Sequence, residues 1–548
     1  MSSTAAAETT LLTGKFSDLT SFFSLIYLAV FLPVCIIGYS LMPKKLKKYF
    51  LLVASFCFYF LISGKLLVYL LLAIVVTFLF GLWLDNVGSK RDIILKQTEK
   101  SERKAVKKRF LHYSRWILAF AVTLLAGGLL VFKYSAFALS NINVLFRAMD
   151  VSFRLKVPSF IMPIGISFFS LMAISYLVDV YRGVIPAEKK PFKLALWLSY
   201  FPQIVEGPIC RYSQTADALW SVEKIKFDNL TLGLQRILFG LMKKLVVADR
   251  LNTLVSAVFE NYREYSGGII ALAAICYTIQ LYMDFSGSMD AVVGTAQIFG
   301  VTMPENFNHP FFSKTISEFW TRWHISLGAW FKDYIFYPLT MSKPLKKLTS
   351  NARKKIGNHY GPLLSGSIAL LCVWFLNGLW HGSDWNYIFF GMYHFVLILC
   401  GSLISPPSKW LCHKLKIKTD SWPYKAMQIV RTIIFVIIGE LFFRAEGLNN
   451  GLNMFSKMVG SFSFTALTPT LLEKLGVDIA DLIIVGVTVV IVLVVSILNE
   501  RGICIRTSLK KKNVVLRWAI WYALILFIVI FGAYGRGYIP VDPMYANF

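Results

Sequence analysis

The chain has seven histidines, and their settings separate them. His381 closes the apolar run Trp374-Phe375-Leu376-Asn377-Gly378-Leu379-Trp380-His381-Gly382. An imidazole behind a tryptophan and beside a glycine leaves room for a substrate. Histidine is also the side chain most readily poised as a general base near neutral pH. The competing reading is an interfacial histidine that caps a helix end, and the run alone does not choose between them. His324 stands in Glu318-Phe319-Trp320-Thr321-Arg322-Trp323-His324-Ile325-Ser326. There Phe319, Trp323, Leu327 and Trp330 recur at helical spacing as an aromatic stripe, a pattern that more often packs than binds a cofactor. Glu318 and Arg322 stand four apart in the order that favours a helix-face ion pair. His394, four residues after Phe390 within an apolar run, reads as a buried, hydrogen-bonded core histidine. His112, His359 and His413 lie in or beside basic loops. His309 sits in the polar stretch Pro304–Pro310, where a loop role is the default.

Ionisable groups inside apolar segments are costly, so each is a candidate for function. Asp284-Phe285-Ser286-Gly287 closes one apolar run, and Asp290 follows. Pro202-Gln203, Glu206-Gly207-Pro208 and Arg211 interrupt another, and Asp179 and Arg182 flank Tyr181. No Walker loop, dinucleotide fingerprint, G-x-S-x-G elbow or paired metal-ligand spacing occurs. No metal or bound cofactor is therefore expected. The eight cysteines form no C-x-x-C pair and most lie in apolar runs, so they read as small hydrophobes.

The elements that must position these residues are membrane spans. The composition is 56% hydrophobic and 16% charged, with 14 Trp and mean hydropathy +0.60; a soluble protein carries about a quarter charged residues. A spanning helix needs about 20 mostly apolar residues. Candidate spans are 21–42, 49–64, 66–84, 115–133, 159–180, 230–248, 267–284, 361–380, 386–405, 428–443, 480–498 and 515–534. Stretches 194–210, 291–303 and 315–340 mix Pro, Gly and charge with aromatics and read as re-entrant or interfacial segments. Residues 1–20 lack the basic start and small-residue cleavage site of a signal peptide, so the first run is expected to remain as a span.

The net charge of +27 would suggest nucleic acid in a soluble chain. Here the basic residues sit in short loops between apolar runs, which follows the positive-inside rule and excludes a nucleic-acid partner. Lys44–Lys48, Lys90–Arg109, Lys189–Lys193, Lys343–Lys355, Lys409–Lys418 and Lys510–Lys512 are thereby cytoplasmic. The alternation is self-consistent through the first five spans with the N-terminus outside, and again from 361 onward. Neither a repeat nor a low-complexity linker is present. The expected organisation is a single polytopic membrane domain over 1–548. Its motif-bearing core is about 160–395, with peripheral helices at 21–133 and 428–534.

The segments Pro163–Phe169, Tyr176–Gly183, Phe201–Arg211, Asp284–Gly287, Pro304–Pro310, Phe319–Ser326, Asp333–Pro338 and Asn377–Gly382 carry a resemblance. In these, and in their order, the sequence resembles the membrane-bound O-acyltransferase family. It is most similar to the bacterial branch of alginate and peptidoglycan O-acetyltransferases and teichoic-acid D-alanyl transferase membrane subunits. His381 in Leu-Trp-His-Gly matches the family's invariant histidine, and His324 in Arg-Trp-His-Ile-Ser matches its partner. Two departures stand out. Thr321 precedes Arg322 where alginate-type members carry two basic residues, and the loop 341–360 is longer and more basic than in the family.

The resemblance implies an all-α polytopic fold with re-entrant segments around a central tunnel or funnel, in a bacterial plasma membrane. It implies acyl transfer, acetyl foremost, from a cytoplasmic thioester (acetyl-coenzyme A or an acyl carrier protein) to a hydroxyl acceptor. The acceptor is an exported cell-surface polysaccharide. His381 would be the catalytic base and His324 its assistant. Asn377, Trp380, Trp323, Arg322, Asp284, Ser286 and Glu206 would line the chamber or bind substrate. The implied partners are the lipid bilayer, the donor, the polymer and an extracellular or membrane-anchored esterase-like protein. Surfaces 134–157 and 445–477 and the tail Arg536–Phe548 are available to that protein. The alternatives are D-alanyl transfer from a carrier protein to teichoic acid, a transporter, and a non-catalytic scaffold of polysaccharide export. A transporter should show pseudo-symmetric halves with broken helices, and none are visible. A scaffold has no need of both histidines. One geometric problem follows. A straight helix beginning at 361 would carry His381 across nearly the whole bilayer, at ~1.5 Å per residue. Either the loop 341–360 dips into the membrane, or the helix starts deep, or it breaks at Asn377-Gly378.

Overall fold

A bilayer offers no water to backbone N–H and C=O groups, so a long apolar segment must satisfy them within itself, as a helix. The computed structural model follows that rule. It describes residues 21–221 and 223–534, and among them the only extended pairing is an isolated bridge between Phe307 and Trp323. Among the described residues, eight helical stretches are long and apolar enough to cross a membrane. The chain divides into two compact units, one built from residues up to 234 with 292–304, the other from 235–291 with 305–544.

The first unit contains α1 (Leu32–Leu41), α2 (Lys47–Ser63), α3 (Leu67–Gln97), α4 (Arg103–Ala148), α5 (Ile166–Arg182) and α6 (Pro191–Ser199). A single 3-10 turn, Gly64–Leu66, joins α2 to α3. Most of the basic stretch expected as a loop at 90–109 is helical, because α3 runs on to Gln97 and α4 begins at Arg103. The outer segment proposed from 134 is likewise helical as far as Ala148. The span expected at 159–180 starts only at Ile166, and residues 151–163 are not helical. The stretch 194–210 folds as α6 followed by buried turns. Tyr27 ties this unit together: its ring is fully buried and its hydroxyl donates to Thr295 Oγ1 at 3.3 Å.

The second unit takes α7 (Phe227–Leu241) from 235 on, then α8 (Asp249–Glu260) and α9 (Gly267–Ile298) as far as 291. It continues with α10 (Ile316–Arg322), α11 (Ile325–Phe331), α12 (Lys343–His381), α13 (Trp385–Lys414), α14 (Trp422–Arg444), α15 (Ile479–Glu500) and α16 (Val514–Phe531). In α9, 72% of the apolar window is buried, against 17% in α15 and 6% in α16, so α9 is a core element and the last two face lipid. The re-entrant segment expected at 291–303 is not one, because α9 continues unbroken to Ile298. The stretch 315–340 does break into short pieces, α10 and α11 followed by a π-turn at Lys332–Phe336.

The basic loop expected at 341–360 is also mostly helix. It forms the first arm of α12 and turns at Gly357, whose φ of +83° is open to glycine at little cost. The arm folds back on the second: a Cβ at Gly361 would lie 2.5 Å from Arg353 Cα, and Thr349 Oγ1 and Ser365 Oγ share a hydrogen bond of 2.5 Å. The second arm does not break at Asn377-Gly378; it stays helical through His381. The tail Arg536–Phe548 lies outside the described residues.

Candidate active site

His324 is placed by a backbone device. The segment Asn306–Asn308 runs against Arg322–Ser326: Asn308 N donates to Arg322 O at 2.9 Å, and Ile325 N donates to Asn306 O at 3.1 Å. The Asn306 side chain adds a third contact, its Oδ1 accepting from Ser326 N at 2.9 Å. Between these ties His324 adopts the left-handed region, φ +46°, and caps the start of α11. Such a φ is uncommon for a non-glycine residue, though histidine is among those that tolerate it. Its imidazole is 3% exposed and meets the edge of Phe285 at 4.9 Å. Burial pushes it down to about 3, so it is neutral at any physiological pH.

His381 is placed by helix packing. It is the last residue of α12, and α13 starts after a short turn capped by Asp384, whose carboxylate accepts from Trp385 N. The two helices approach closely through glycines. A Cβ at Gly391 would lie 2.3 Å from Trp374 O, and one at Gly378 would lie 2.5 Å from Tyr387 O. Asn386 Nδ2 donates to Phe442 O, Phe443 O and Ala445 O at 3.3, 3.4 and 2.9 Å, which anchors the end of α14 beside α13. Phe443 thereby packs edge-on against His381 at 5.1 Å, and Phe390 at 5.9 Å. His381 is 3% exposed.

Trp380 joins the two histidines. Its ring is 5.6 Å from His324 and 5.0 Å from His381, edge-to-face with both. One turn before His381 on the same helix face, Asn377 is buried, and its Oδ1 has no hydrogen-bond partner among the described residues. A buried amide oxygen left unmatched costs free energy that a bound donor group would recover. The arrangement is a dry aromatic cell holding two imidazoles and an amide. It can accept a proton at an imidazole nitrogen, and the cation formed on His381 would sit at the negative end of a helix dipole.

The other sequence candidates fall elsewhere. Trp323 packs in a neighbouring aromatic cluster with Phe307 at 5.0 Å and Phe319 at 5.5 Å. Arg322 pairs with Glu318 at 3.1 Å and with Glu500, so the helix-face ion pair is the observed state. Asp284 is held by Lys244 at 2.8 Å, which also binds Asp249 at 3.0 Å. Ser286 accepts from Lys243 at 3.1 Å. Asp284 and Ser286 both lie on the helix that presents Phe285. Glu206 is buried in the first unit. His394 is the core histidine expected, its Nδ1 accepting from Trp320 Nε1 at 3.3 Å. Sequence reasoning missed Asn306, Phe285 and Phe443. For Asn306 and Phe285 a signal existed, since each lies in one of the resemblance motifs.

Comparison with known proteins supplies independent findings. The model of MBOAT, the membrane-bound O-acyltransferase family, matches residues 189–353, a stretch that contains His324 and ends before His381. A probable alginate O-acetylase of Azotobacter vinelandii is 30% identical over 476 residues, covering 86% of this chain and 84% of the relative. A peptidoglycan O-acetyltransferase of Helicobacter pylori is 28% identical, covering 79% of each chain. A teichoic acid D-alanyltransferase of Bacillus subtilis is 30% identical, covering 52% of this chain and 69% of the relative.

Proposed function

The chain belongs to the membrane-bound O-acyltransferase family, a multi-pass membrane enzyme that transfers acyl groups to oxygen, and on that premise we propose that it moves acetyl from a cytoplasmic thioester to a hydroxyl of an exported cell-surface polysaccharide. The O-acetyltransferase relatives align over about four-fifths of both chains, whereas the D-alanyl transferase aligns over half of this one, which favours acetyl. The observation that carries the reading is the His324–Trp380–His381 ring series beside the unmatched oxygen of Asn377.

A thioester carbonyl is already activated, whereas a hydroxyl is a poor nucleophile at neutral pH. The group required is therefore a base. His381 takes the hydroxyl proton as the oxygen attacks the carbonyl carbon. The C–S bond then breaks, and the departing thiolate recovers the proton from the imidazolium. Neutral His324 steadies the oxyanion or orients the acceptor. The donor reaches the cell from the cytoplasmic side, drawn by the basic arm Lys343–Lys355. An esterase-like protein outside the membrane completes delivery to the polymer. The test is acetyl-coenzyme A with the purified protein in proteoliposomes. Thiol release that rises with a polysaccharide acceptor supports the reading. Absence of release with acetyl-coenzyme A, together with transfer from a D-alanyl carrier protein, would replace it.

A further inference from the structure

α9 and α14 each send one ring to the imidazole cell. Phe285 of α9 meets His324 at 4.9 Å, and Phe443 of α14 meets His381 at 5.1 Å. Residues three, four or seven apart share a helix face. The residue seven before Phe285 is Thr278, and the one three before Phe443 is Glu440. These two are neighbours across the helices, and both are buried, with Glu440 4% exposed. At ~1.5 Å per residue, Glu440 lies about one turn along α14 from the ring that touches His381. Proton removal by His381 gives this carboxyl no task.

A carboxyl inside a span is costly, and an ion pair or a ligand is its usual reason. No cation pairs with Glu440 among the described residues, and its Oε2 has no hydrogen-bond partner among them. Asn377 Oδ1 is a second buried, unmatched acceptor, one turn before His381 on α12. The reacting end of an acetyl thioester carries no N–H or O–H group and cannot satisfy either oxygen. A sugar ring can, because the hydroxyls beside the reacting one are donors. We propose that Glu440 and Asn377 form the subsite for a carbohydrate acceptor. They accept hydrogen bonds from its non-reacting hydroxyls, and the remaining hydroxyl turns toward His381. Resting on the proposed acyl transfer, this subsite adds the groups that tell a sugar from a simple alcohol. An alcohol with a single hydroxyl leaves buried acceptors unpaired, which is how a polar site rejects an analogue.

The test uses the full chain in detergent with acetyl-coenzyme A and two probe acceptors. Methyl glucoside offers several hydroxyls, and cyclohexylmethanol offers one on a ring of the same size. The ratio of their kcat/KM values should favour the glucoside in wild type. Glu440→Met should lower that ratio about tenfold, the factor for one lost hydrogen bond at the upper end of the usual range. Asn377→Leu should act likewise. Glu440→Gln keeps a side-chain carbonyl oxygen and should hold the ratio within about twofold of wild type. The subsite is overturned if Glu440→Met and Asn377→Leu leave the ratio unchanged. It is also overturned if Glu440→Gln and Glu440→Met lower it equally, since the retained oxygen would then do nothing. Wild type that acetylates neither probe would instead count against the acyl-transfer reading. The subsite is then judged by thermal midpoint, which methyl glucoside should raise in wild type and not in Glu440→Met; no rise in wild type overturns it.

Discussion

The rings of His324 and Trp380 meet edge-to-face at 5.6 Å, although 56 residues of sequence separate them. With His381 on the other edge of the same indole at 5.0 Å, one tryptophan sets the distance between the two imidazoles. The assignment of roles rests on that relationship and is open to direct measurement.

His381→Ala should abolish all but a few per cent of acyl transfer, since a positioned base contributes about 10²–10⁴-fold. His324→Ala should cost less. Acyl transfer by each variant, measured on protein that elutes as wild type, decides this. Equal and complete loss at both positions would point to a shared step instead.

Acid should reveal His324. Its folded-state value is about 3, against about 6.5 unfolded. The neutral form is thus the one the fold accepts, and its stability is fully present above the unfolded value. As pH falls below about 6.5 the unfolded chain gains a proton that the folded chain refuses, so stability declines. His324→Gln removes that term. Its thermal midpoint in detergent should fall less than that of wild type between about pH 7 and pH 5.

Asn306→Ala should lower both stability and turnover, because Ser326 N loses its acceptor and the left-handed residue loses a tie. An orphaned buried donor costs about 1–3 kcal/mol. Asn306→Asp keeps the oxygen and should recover more turnover than stability. Identical turnover in the two variants would count against a positioning role.

Positions 104 and 354 should both be cytoplasmic. In a background without the exposed Cys57, Cys400 and Cys504, cysteines placed there should resist an impermeant thiol reagent in intact cells and react after lysis. Labelling of either position in intact cells would overturn the topology.

Neutralising Lys346, Lys347, Lys354 and Lys355 together should raise the donor KM at low salt and leave kcat unchanged. The difference should shrink as ionic strength approaches about 0.15 M, where the screening length is about 8 Å. A KM ratio independent of salt would reduce these charges to topology signals.

His381 stands out in the sequence because an imidazole at the end of an apolar run is expensive enough to need a reason, whereas His324 stands out through its motif. Trp380 reads from the sequence as a chamber-lining residue, but its place between the two rings depends on packing that no linear pattern carries. Asp284 and Ser286 show how distant partners hide from a linear reading. Their partners, Lys244 and Lys243, are 40 and 43 residues earlier, so a buried ion pair and a lysine–hydroxyl hydrogen bond look like unpaired polar groups in the sequence. Gly287 suggested the end of a span but serves contact, because Gly240 of α7 lies so near that a Cβ there would be 2.6 Å from Gly287 O. Small residues allow helices this proximity in a membrane. The basic stretch 343–355 read as a loop because charge dominated its composition. Its helical form depends on contacts with Gly361 and Ser365 that a linear pattern does not carry.

The fold-back of α12 at Gly357 has a mechanical consequence. The charged arm and the helix that ends in His381 are two helical arms joined at Gly357 and clasped at Thr349 and Ser365. An anionic molecule that grips the arm therefore pulls on a lever whose far tip is the imidazole. Arrival of an anion at the arm would be felt at the reacting end through the Thr349–Ser365 clasp and the second arm, before any chemistry begins. Replacing Gly357 with a β-branched residue would loosen that handle and leave the tip intact.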